Sequence, residues 1–195
     1  MKFVEKIKKL CDSYDLKQCG KKDRARLYGV YENTPPLAEH IVFEPMPTHI
    51  MQRMVDNYKL DFPKELLELF KNMNGAEFFW TIKYMGAKKI RIPVSKLTIY
   101  GIPITNEREH LEPFNISVED LGRPKGTPEE WLKFGSYYRP ERLSERLDLF
   151  ANTKNGKVYA IEHDRENCCV EQEWDSIDEC LCGIFDLLIE KESRM

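Results

Sequence analysis

The sequence lacks the features that mark membrane-inserted and exported proteins. No apolar run in its 195 residues approaches the ~20 residues that a membrane-spanning helix requires. Residues 1–10 alternate charged and apolar side chains, so they do not form the continuous apolar core of a signal peptide. We therefore expect no membrane partner and a cytoplasmic location.

The usual catalytic signatures are missing as well. There is no Gly-x-Ser-x-Gly nucleophile elbow, no His-Glu-x-x-His helix and no glycine-rich phosphate loop. The chain has only four histidines, and they are scattered: His40, His49, His110 and His163. The sequence does not show whether any of them meets a cysteine or serine in space. We expect no catalytic residues, no cofactor and no enzymatic activity.

Six cysteines are present, but their spacing favours neither disulfides nor a metal site. A chain of this length does not need disulfides, and a reducing cytoplasm would not keep them. Zinc ligands usually come in Cys-x-x-Cys pairs that converge on one ion. Cys180 and Cys182 instead diverge by about 200° around a predicted helix, and Cys168 and Cys169 point to opposite faces of a predicted strand. We expect reduced cysteines and no metal.

The charge distribution does not favour a nucleic-acid partner. The formal net charge is −3, although residues 78–106 contain five basic and no acidic residues. Basic residues interleaved with aromatics can hold a single nucleic-acid strand. Here Trp80, Ile82 and Tyr84 alternate with the residues between them, as one face of a half-buried strand does. We therefore interpret this stretch as a strand and expect no nucleic acid.

Hydrophobic periodicity predicts helices and strands along the whole chain. The predicted elements are a helix from Phe3 that ends by Gly20, strands at 27–31 and 40–43 with a turn at 34–36 between them, helices at 48–58 and 63–73, strands at 77–84, 90–94 and 97–104, a long connection at 107–128 with a short helix at 117–121, a strand from Trp131, two strands within 148–164, a strand at 168–174 and a helix at 176–190. Pro93 and Pro103 place their strands at a sheet edge or at irregularities. We expect an α+β fold in which helices pack on a mainly antiparallel sheet.

The segment 61–75 encodes both ends of its helix. Pro63 fits the first turn, where a missing N–H costs nothing, and Asn74-Gly75 supplies left-handed residues that stop a helix. The apolar face of this helix consists of Leu66, Phe70 and Met73, flanked by Leu67 and Leu69. A strand with the aromatic residues 78–80 follows at once.

The last third of the chain has equally specific signals. Asn155-Gly156 lies between two strands, and both central residues of a type I′ turn need positive φ, which Asn and Gly tolerate. The final helix begins with a capping box, in which Ser176 accepts from the N–H of Glu179 and Glu179 reaches back to Ser176. Its predicted buried stripe is Ile177, Leu181, Ile184 and Leu188, with Phe185 beside it.

These motifs resemble the SUKH superfamily. A Pro-x-x-Leu helix that ends in Asn-Gly and runs into a strand is similar to the second SUKH helix. Strand, Asn-Gly turn, strand ending in His163-Asp164, strand and Ser-capped helix follow in the SUKH order. The resemblance covers about residues 48–191. It implies a SUKH-like domain at 48–195, preceded by an N-terminal extension at 1–47 (a helix plus a strand pair) packed on the core.

The resemblance also implies a non-catalytic protein-binding function. The superfamily includes bacterial toxin-immunity proteins, which neutralise a toxin effector by direct binding, and fungal cell-wall-synthesis regulators. Our first hypothesis is an immunity protein. A regulatory scaffold of the fungal type and an enzyme of unrecognised class remain alternatives. The sequence leaves the identity of the toxin and the oligomeric state open.

One acidic segment provides a candidate partner surface. Residues 162–179 contain eight acidic residues and a single arginine, Arg165. A solvated strand face and a favourable helix start would produce the same excess, but such a cluster also attracts a basic protein surface. Aromatic residues and arginine supply interface hot spots. The candidate partner-binding residues are Glu162, Asp164, Glu166, Glu171, Glu173, Asp175, Tyr138 and Arg139.

Overall fold

The computed structural model describes residues 1–14, 19–22, 25–29, 39–58, 62–85, 90–101, 124–139, 145–162 and 166–192. Its helices are α1 (Lys2–Asp12), α2 (Thr48–Tyr58), α3 (Lys64–Asn72) and α4 (Ile177–Glu192). Its strands are β1 (Cys19–Lys22), β2 (Ala25–Tyr28), β3 (His40–Phe43), β4 (Ala76–Met85), β5 (Ile90–Ile99), β6 (Trp131–Tyr138), β7 (Arg146–Asn152), β8 (Val158–Glu162) and β9 (Val170–Trp174). The predicted turn at 34–36, the short helix at 117–121, Pro103, His163 and Asp164 lie outside the described residues.

The nine strands form one sheet whose spatial order is the chain order from β1 to β9. Every neighbouring pair of strands is antiparallel. This confirms the prediction of an α+β fold with a mainly antiparallel sheet. Strands β1 to β3 belong to the same sheet as the rest, because β3 pairs with β4.

Two boundaries differ from the prediction. Gly20 does not end the first helix: α1 ends at Asp12, and Gly20 lies in β1, where residues 19–22 gain cross-strand pairing with β2. The predicted strands at 90–94 and 97–104 are one strand, β5, up to Ile99. Pro93 is tolerated there because β5 pairs with β6 only through residues 97–99, so the part around Pro93 pairs with β4 alone among the described strands.

The helices cover one face of the sheet, and the largest core lies between these layers. Phe3 of α1, Phe78 of β4 and Phe185 of α4 are fully buried and meet edge to face, with ring centroids 5.3 to 6.2 Å apart. This geometry adds to the apolar burial of the three rings. The predicted stripe of α4 is confirmed, since all its members are buried: Ile177, Leu181, Ile184, Leu188 and Phe185.

Helix α3 buries the apolar face that its sequence predicts. Leu66, Leu69 and Phe70 are fully buried, and Pro63 occupies the N-cap position of α3. The predicted end of helix α3 is confirmed for Gly75 but not for Asn74. Gly75 has a φ of +95°, but Asn74 is not left-handed, and the helix is already ended by the extended residue 73.

Phe79 interrupts the alternation of β4. Its φ is +56°, a left-handed value that is uncommon for a residue with a side chain. Phe78 and Phe79 therefore both face the helices, where Phe79 lies 5.4 Å from the ring of Phe185. Trp80 turns to the opposite face and packs on the small core of β2 and β3. His40 Nδ1 accepts a hydrogen bond from the Phe79 N–H at 3.2 Å and so holds the irregular residue.

Carboxylates tie the N-termini of three helices together. Glu65 of α3 accepts hydrogen bonds from the N–H groups of Ile177 (2.7 Å) and Asp178 (3.4 Å) at the start of α4. The Asp178 carboxylate in turn accepts from the N–H groups of Lys2 (3.0 Å) and Phe3 (2.9 Å) at the start of α1. Each carboxylate satisfies N–H groups that a helix leaves unpaired and meets the positive end of a helix dipole.

Two predicted local motifs are corrected by the structure. Ser176 accepts from the Glu179 N–H at 3.0 Å as predicted, but the Glu179 carboxylate reaches the N–H of Asp175 rather than that of Ser176. The β7–β8 connection is not a type I′ turn, because Gly156 has a positive φ and Asn155 does not. A longer loop forms instead, in which the Asn152 side chain accepts from residues 154 and 155.

Candidate functional site

Strand β9 is the last strand of the sheet in the described part of the chain, and it lies in the middle of the acidic segment and carries Glu171 and Glu173. Its side chains are largely exposed, including Val170 at 44%. Charged residues on a terminal strand are a common means of preventing edge-to-edge aggregation. We call Glu166, Glu171, Glu173 and Asp175 the acidic edge.

The register determines which backbone groups of β9 point outward. The Asn152 N–H donates to the Lys157 carbonyl at 2.8 Å, so the backbone groups of Lys157 are directed towards β7. Because the backbone N–H and C=O groups of successive residues in a strand point to opposite sides, those of Val158 and Ala160 are directed towards β9. Val158 pairs with Trp174 and Ala160 with Gln172. The N–H and C=O of Glu173, between these two residues, consequently point away from the sheet.

Two of the predicted residues form an internal ion pair. Arg139 Nη2 lies 3.0 Å from Glu171 Oε2, and its Nη1 lies 3.5 Å from Glu145 Oε2. The three side chains are only about a quarter exposed. This pair connects β9 to the end of β6 across two intervening strands. The main role of Arg139 and Glu171 is therefore to hold β9 in place.

Glu173 and Asp175 share a single nearby ammonium group. Lys157 donates to the Glu173 carboxylate and lies 3.6 Å from Asp175 Oδ1. The hydrogen bond to Glu173 raises the pKa of Lys157. The Asp175 side chain is 83% exposed and that of Glu173 is 47% exposed. Two carboxylates against one cation leave this part of the edge with a negative charge.

The other predicted residues are more dispersed. Glu166 is exposed, and its carbonyl accepts from the Lys125 N–H at 2.8 Å in a short parallel bridge just before β9. Glu162 is half-buried at the end of β8. Tyr138 is half-buried and pairs with Arg146, which places it on the sheet face opposite to Arg139. The structure thus joins Arg139 to the acidic edge but does not join Tyr138 to it.

A second polar cluster was not predicted from the sequence. Four buried polar residues lie side by side on the sheet face away from the helices: Glu77, Thr98, Ser136 and Asp148. We call them the polar row. Glu77 pairs with Thr98, Thr98 with Ser136, and Ser136 with Asp148, so the row crosses β4 to β7. Only the pairing of distant segments brings them together, and no local spacing indicates it.

Cations and a phenol surround one end of the polar row. Lys133 Nζ lies 2.7 Å from Asp148 Oδ2, and both side chains are nearly buried. Arg146 Nε is 3.6 Å from Asp148 Oδ1, while its Nη2 donates to the Tyr100 hydroxyl at 2.7 Å. The Tyr100 hydroxyl also lies 3.4 Å from Ser136 Oγ. Such a buried network specifies one arrangement of β5, β6 and β7, because its members are costly to leave unpaired.

The other end of the polar row holds a protonatable carboxyl. Burial raises the pKa of Glu77 to about 7, and the Trp80 indole N–H opposes this shift. That N–H is buried near Glu77 but does not reach hydrogen-bond geometry with any described residue, so it offsets the effect of burial only in part. On the opposite face, burial lowers the pKa of His40 to about 4, so His40 stays neutral and can accept from Phe79.

A cavity within the described residues lies between α1, strands β1 to β3, and the end of α3. Its volume is about 770 Å³, and Cys11, Cys19, Asp12 and Glu44 are among its lining residues. No histidine lines it within the described residues. Burial raises the pKa of the Cys11 thiol, which makes it a weaker nucleophile at neutral pH. Among the described residues, the cavity therefore brings cysteines and carboxylates together without a histidine beside them.

The structure and the comparisons add three further findings. All six cysteines are free thiols. Within the described residues, no group of three or more His, Cys, Asp or Glu side chains is placed to hold a metal ion, and no helix is long and apolar enough to cross a membrane. Comparison of the chain with protein-family models, curated proteins and solved structures gives no match.

Proposed function

We propose that this protein is a non-catalytic binding domain, an immunity protein with a SUKH-like fold that neutralises a bacterial toxin effector in the cytoplasm by direct contact. The acidic edge is the binding surface, and the toxin domain presents a basic surface to it. Neutralisation follows if the bound protein covers the residues that the toxin needs for its activity.

The exposed pair Glu173 and Asp175 is the observation that carries the proposal. Both carboxylates lie at the sheet edge and share Lys157 as their cationic neighbour among the described residues, and Asp175 is 83% exposed. Exposed charge of one sign accelerates association with an oppositely charged surface by long-range attraction. Unlike Glu171, neither residue is tied to Arg139.

The proposal assigns different tasks to the predicted partner-binding residues. Glu166, Glu173 and Asp175 attract the partner, and Glu162 and Asp164 extend the negative charge. Arg139 and Glu171 hold the strand that carries these charges. Tyr138 remains a candidate aromatic contact at the end of β6, which two strands separate from β9, since tyrosines are enriched at interface hot spots.

Growth rescue tests the proposal. The tagged chain captures its partner protein from cells of the source organism. The gene that encodes the captured protein is then expressed alone and together with this chain. We expect growth arrest by the partner alone and rescue by the wild type. Rescue is expected to fail with Glu173→Lys/Asp175→Lys and to persist with Asp56→Lys/Glu68→Lys, which makes the same charge change on exposed helical positions.

The alternative outcomes separate the remaining hypotheses. A captured protein that is harmless when expressed alone contradicts the immunity function. Capture of cell-wall or signalling proteins would favour the regulatory scaffold instead. Equal rescue by both double variants would remove the acidic edge from the mechanism.

A further inference from the structure

We infer that the partner binds by adding an extended strand to the outer edge of β9, with which no other described strand pairs, and that this strand has lysine or arginine at alternate positions. This inference rests on the proposed protein-binding function and specifies how the acidic edge is recognised. Strand addition at a sheet edge is a general mode of peptide recognition, in which backbone hydrogen bonds provide affinity and side chains provide selectivity.

The backbone of β9 has the geometry that strand addition requires. Trp174 and Gln172 use their N–H and C=O groups to pair with β8, which leaves those of Glu173 directed outward. An added strand can therefore bond to Glu173 without disturbing the existing ladder. Val170, at 44% exposure, offers an apolar contact at the other end of the strand.

The edge is rigid enough to serve as a template. Trp174 packs against the main core, and α4 begins three residues later with its Ser176 cap. Arg139 holds Glu171 from the side of β6. The Lys125 bridge covers the chain only at residues 166–168, just before β9. Residues 170–174 thus directly follow residues 166–168, which already form backbone hydrogen bonds with Lys125.

Charge selects which strand can bind. Glu173 and Asp175 are two residues apart, so a partner strand meets them with two side chains that are also two residues apart. A second copy of β9 would place its own Glu171 and Glu173 against these carboxylates, and like charges opposite each other are destabilising. Lysine or arginine at alternate positions removes this repulsion. The occupant is accordingly a basic strand of another protein rather than a second copy of this chain.

Peptide binding to the full chain tests the inference. The probe is a short peptide that alternates lysine with valine, and its binding is followed by amide chemical-shift changes in ¹H–¹⁵N spectra. We expect salt-dependent binding that perturbs the amides of residues 170–174. The same peptide with N-methyl groups on alternate residues cannot form the backbone bonds and is expected not to bind.

Two substitutions of Glu173 separate the contribution of its backbone N–H from that of its side-chain charge. Glu173→Pro removes the outward N–H without taking a donor from the β8 ladder, and we expect peptide affinity to fall by about five- to tenfold. Glu173→Gln keeps the N–H and is expected to lose salt dependence more than affinity. Because Glu173→Pro could unfold the edge, its β8 and β9 amide signals are compared with those of the wild type, and the N-methylated peptide gives an independent answer.

Several results would overturn the inference. Equal binding of the N-methylated peptide would show that only side-chain charge matters, and equal binding of a glutamate–valine peptide would contradict the charge selection. A lysine-rich helical peptide, which offers no extended strand, distinguishes the two proposals. If it binds the acidic edge while the lysine–valine peptide does not, strand addition is wrong and the charged surface stands. If neither binds, both proposals lose their support.

Discussion

At the scale of single residues, the titration of Glu77 and His40 gives the fold a measurable signature. The two side chains flank the irregular residue Phe79 on opposite faces of the sheet. Burial disfavours the charged form of each, so it raises the pKa of Glu77 to about 7 and lowers that of His40 to about 4. Their effects on stability therefore have opposite signs.

We predict that Glu77→Gln changes how stability depends on pH. The folded state of the wild type holds the Glu77 proton up to about pH 7, whereas the unfolded chain releases it near its ordinary value of 4.5. Stability from this group is therefore present below pH 4.5 and is lost as the pH rises through 7, by roughly 3 kcal/mol. Urea unfolding of both proteins between pH 4.5 and 8 should show the wild type losing stability relative to Glu77→Gln. Parallel curves would contradict the burial of an ionisable carboxyl.

A second residue-scale prediction concerns the acceptor for Phe79. His40→Leu keeps the apolar contacts but removes Nδ1, which leaves the Phe79 N–H buried without its acceptor. We expect a loss of about 1–3 kcal/mol in the free energy of unfolding near pH 7. The wild type itself should lose stability as the pH falls from 6.5 towards 4, because the unfolded chain then binds a proton at His40 that the folded state does not bind. A change of under 0.5 kcal/mol at pH 7 would show that the hydrogen bond is dispensable.

At the scale of elements, the carboxylate caps explain how separate helices become one layer. Glu65→Ala removes an acceptor from the start of α4, and Asp178→Ala removes one from the start of α1. Each change should cost about 1–2 kcal/mol, as the loss of an N-cap does. Glu68→Ala, on the exposed face of α3, is the matched control and should change stability by under 0.5 kcal/mol. Chemical denaturation checks all three, and a cost for Glu68→Ala equal to that for Glu65→Ala would argue against the caps.

Local signals predicted some elements and not others for physical reasons. The stripe of α4 and the buried face of α3 follow from helical periodicity, which burial enforces. Strand β1 contains Gly20 and two lysines and shows no alternation, so only its pairing with β2 defines it. The cap of α4 by Glu65 joins residues 112 positions apart, and no local motif encodes it.

At the scale of the whole molecule, one sheet unites the N-terminal residues with the rest. Phe3 is fully buried between Phe78 and Phe185, so α1 completes the main core. We predict that Phe3→Ala lowers the free energy of unfolding by about 3–5 kcal/mol. Lys9→Ala, exposed on the same helix, should have little effect. Thermal unfolding of both variants tests this, and a small effect of Phe3→Ala would mean that α1 is dispensable for the core.

The candidate site was predictable only in part. The excess of carboxylates in 162–179 is visible in the sequence, and β9 and the start of α4 carry half of them. The pairing of Arg139 with Glu171 and the outward direction of the Glu173 backbone depend on strand register across the sheet. The polar row depends on the register of four strands and left no signal in any one of them.

The most direct test of the central claim is the association rate with the captured partner, measured by stopped flow at several salt concentrations. For the wild type we expect fast association that slows as salt is added. Glu173→Lys/Asp175→Lys should slow association on the order of tenfold and abolish most of the salt dependence. Asp56→Lys/Glu68→Lys should leave the rate near that of the wild type. Equal rates and equal salt dependence for the two double variants would contradict the claim that the acidic edge is the binding surface.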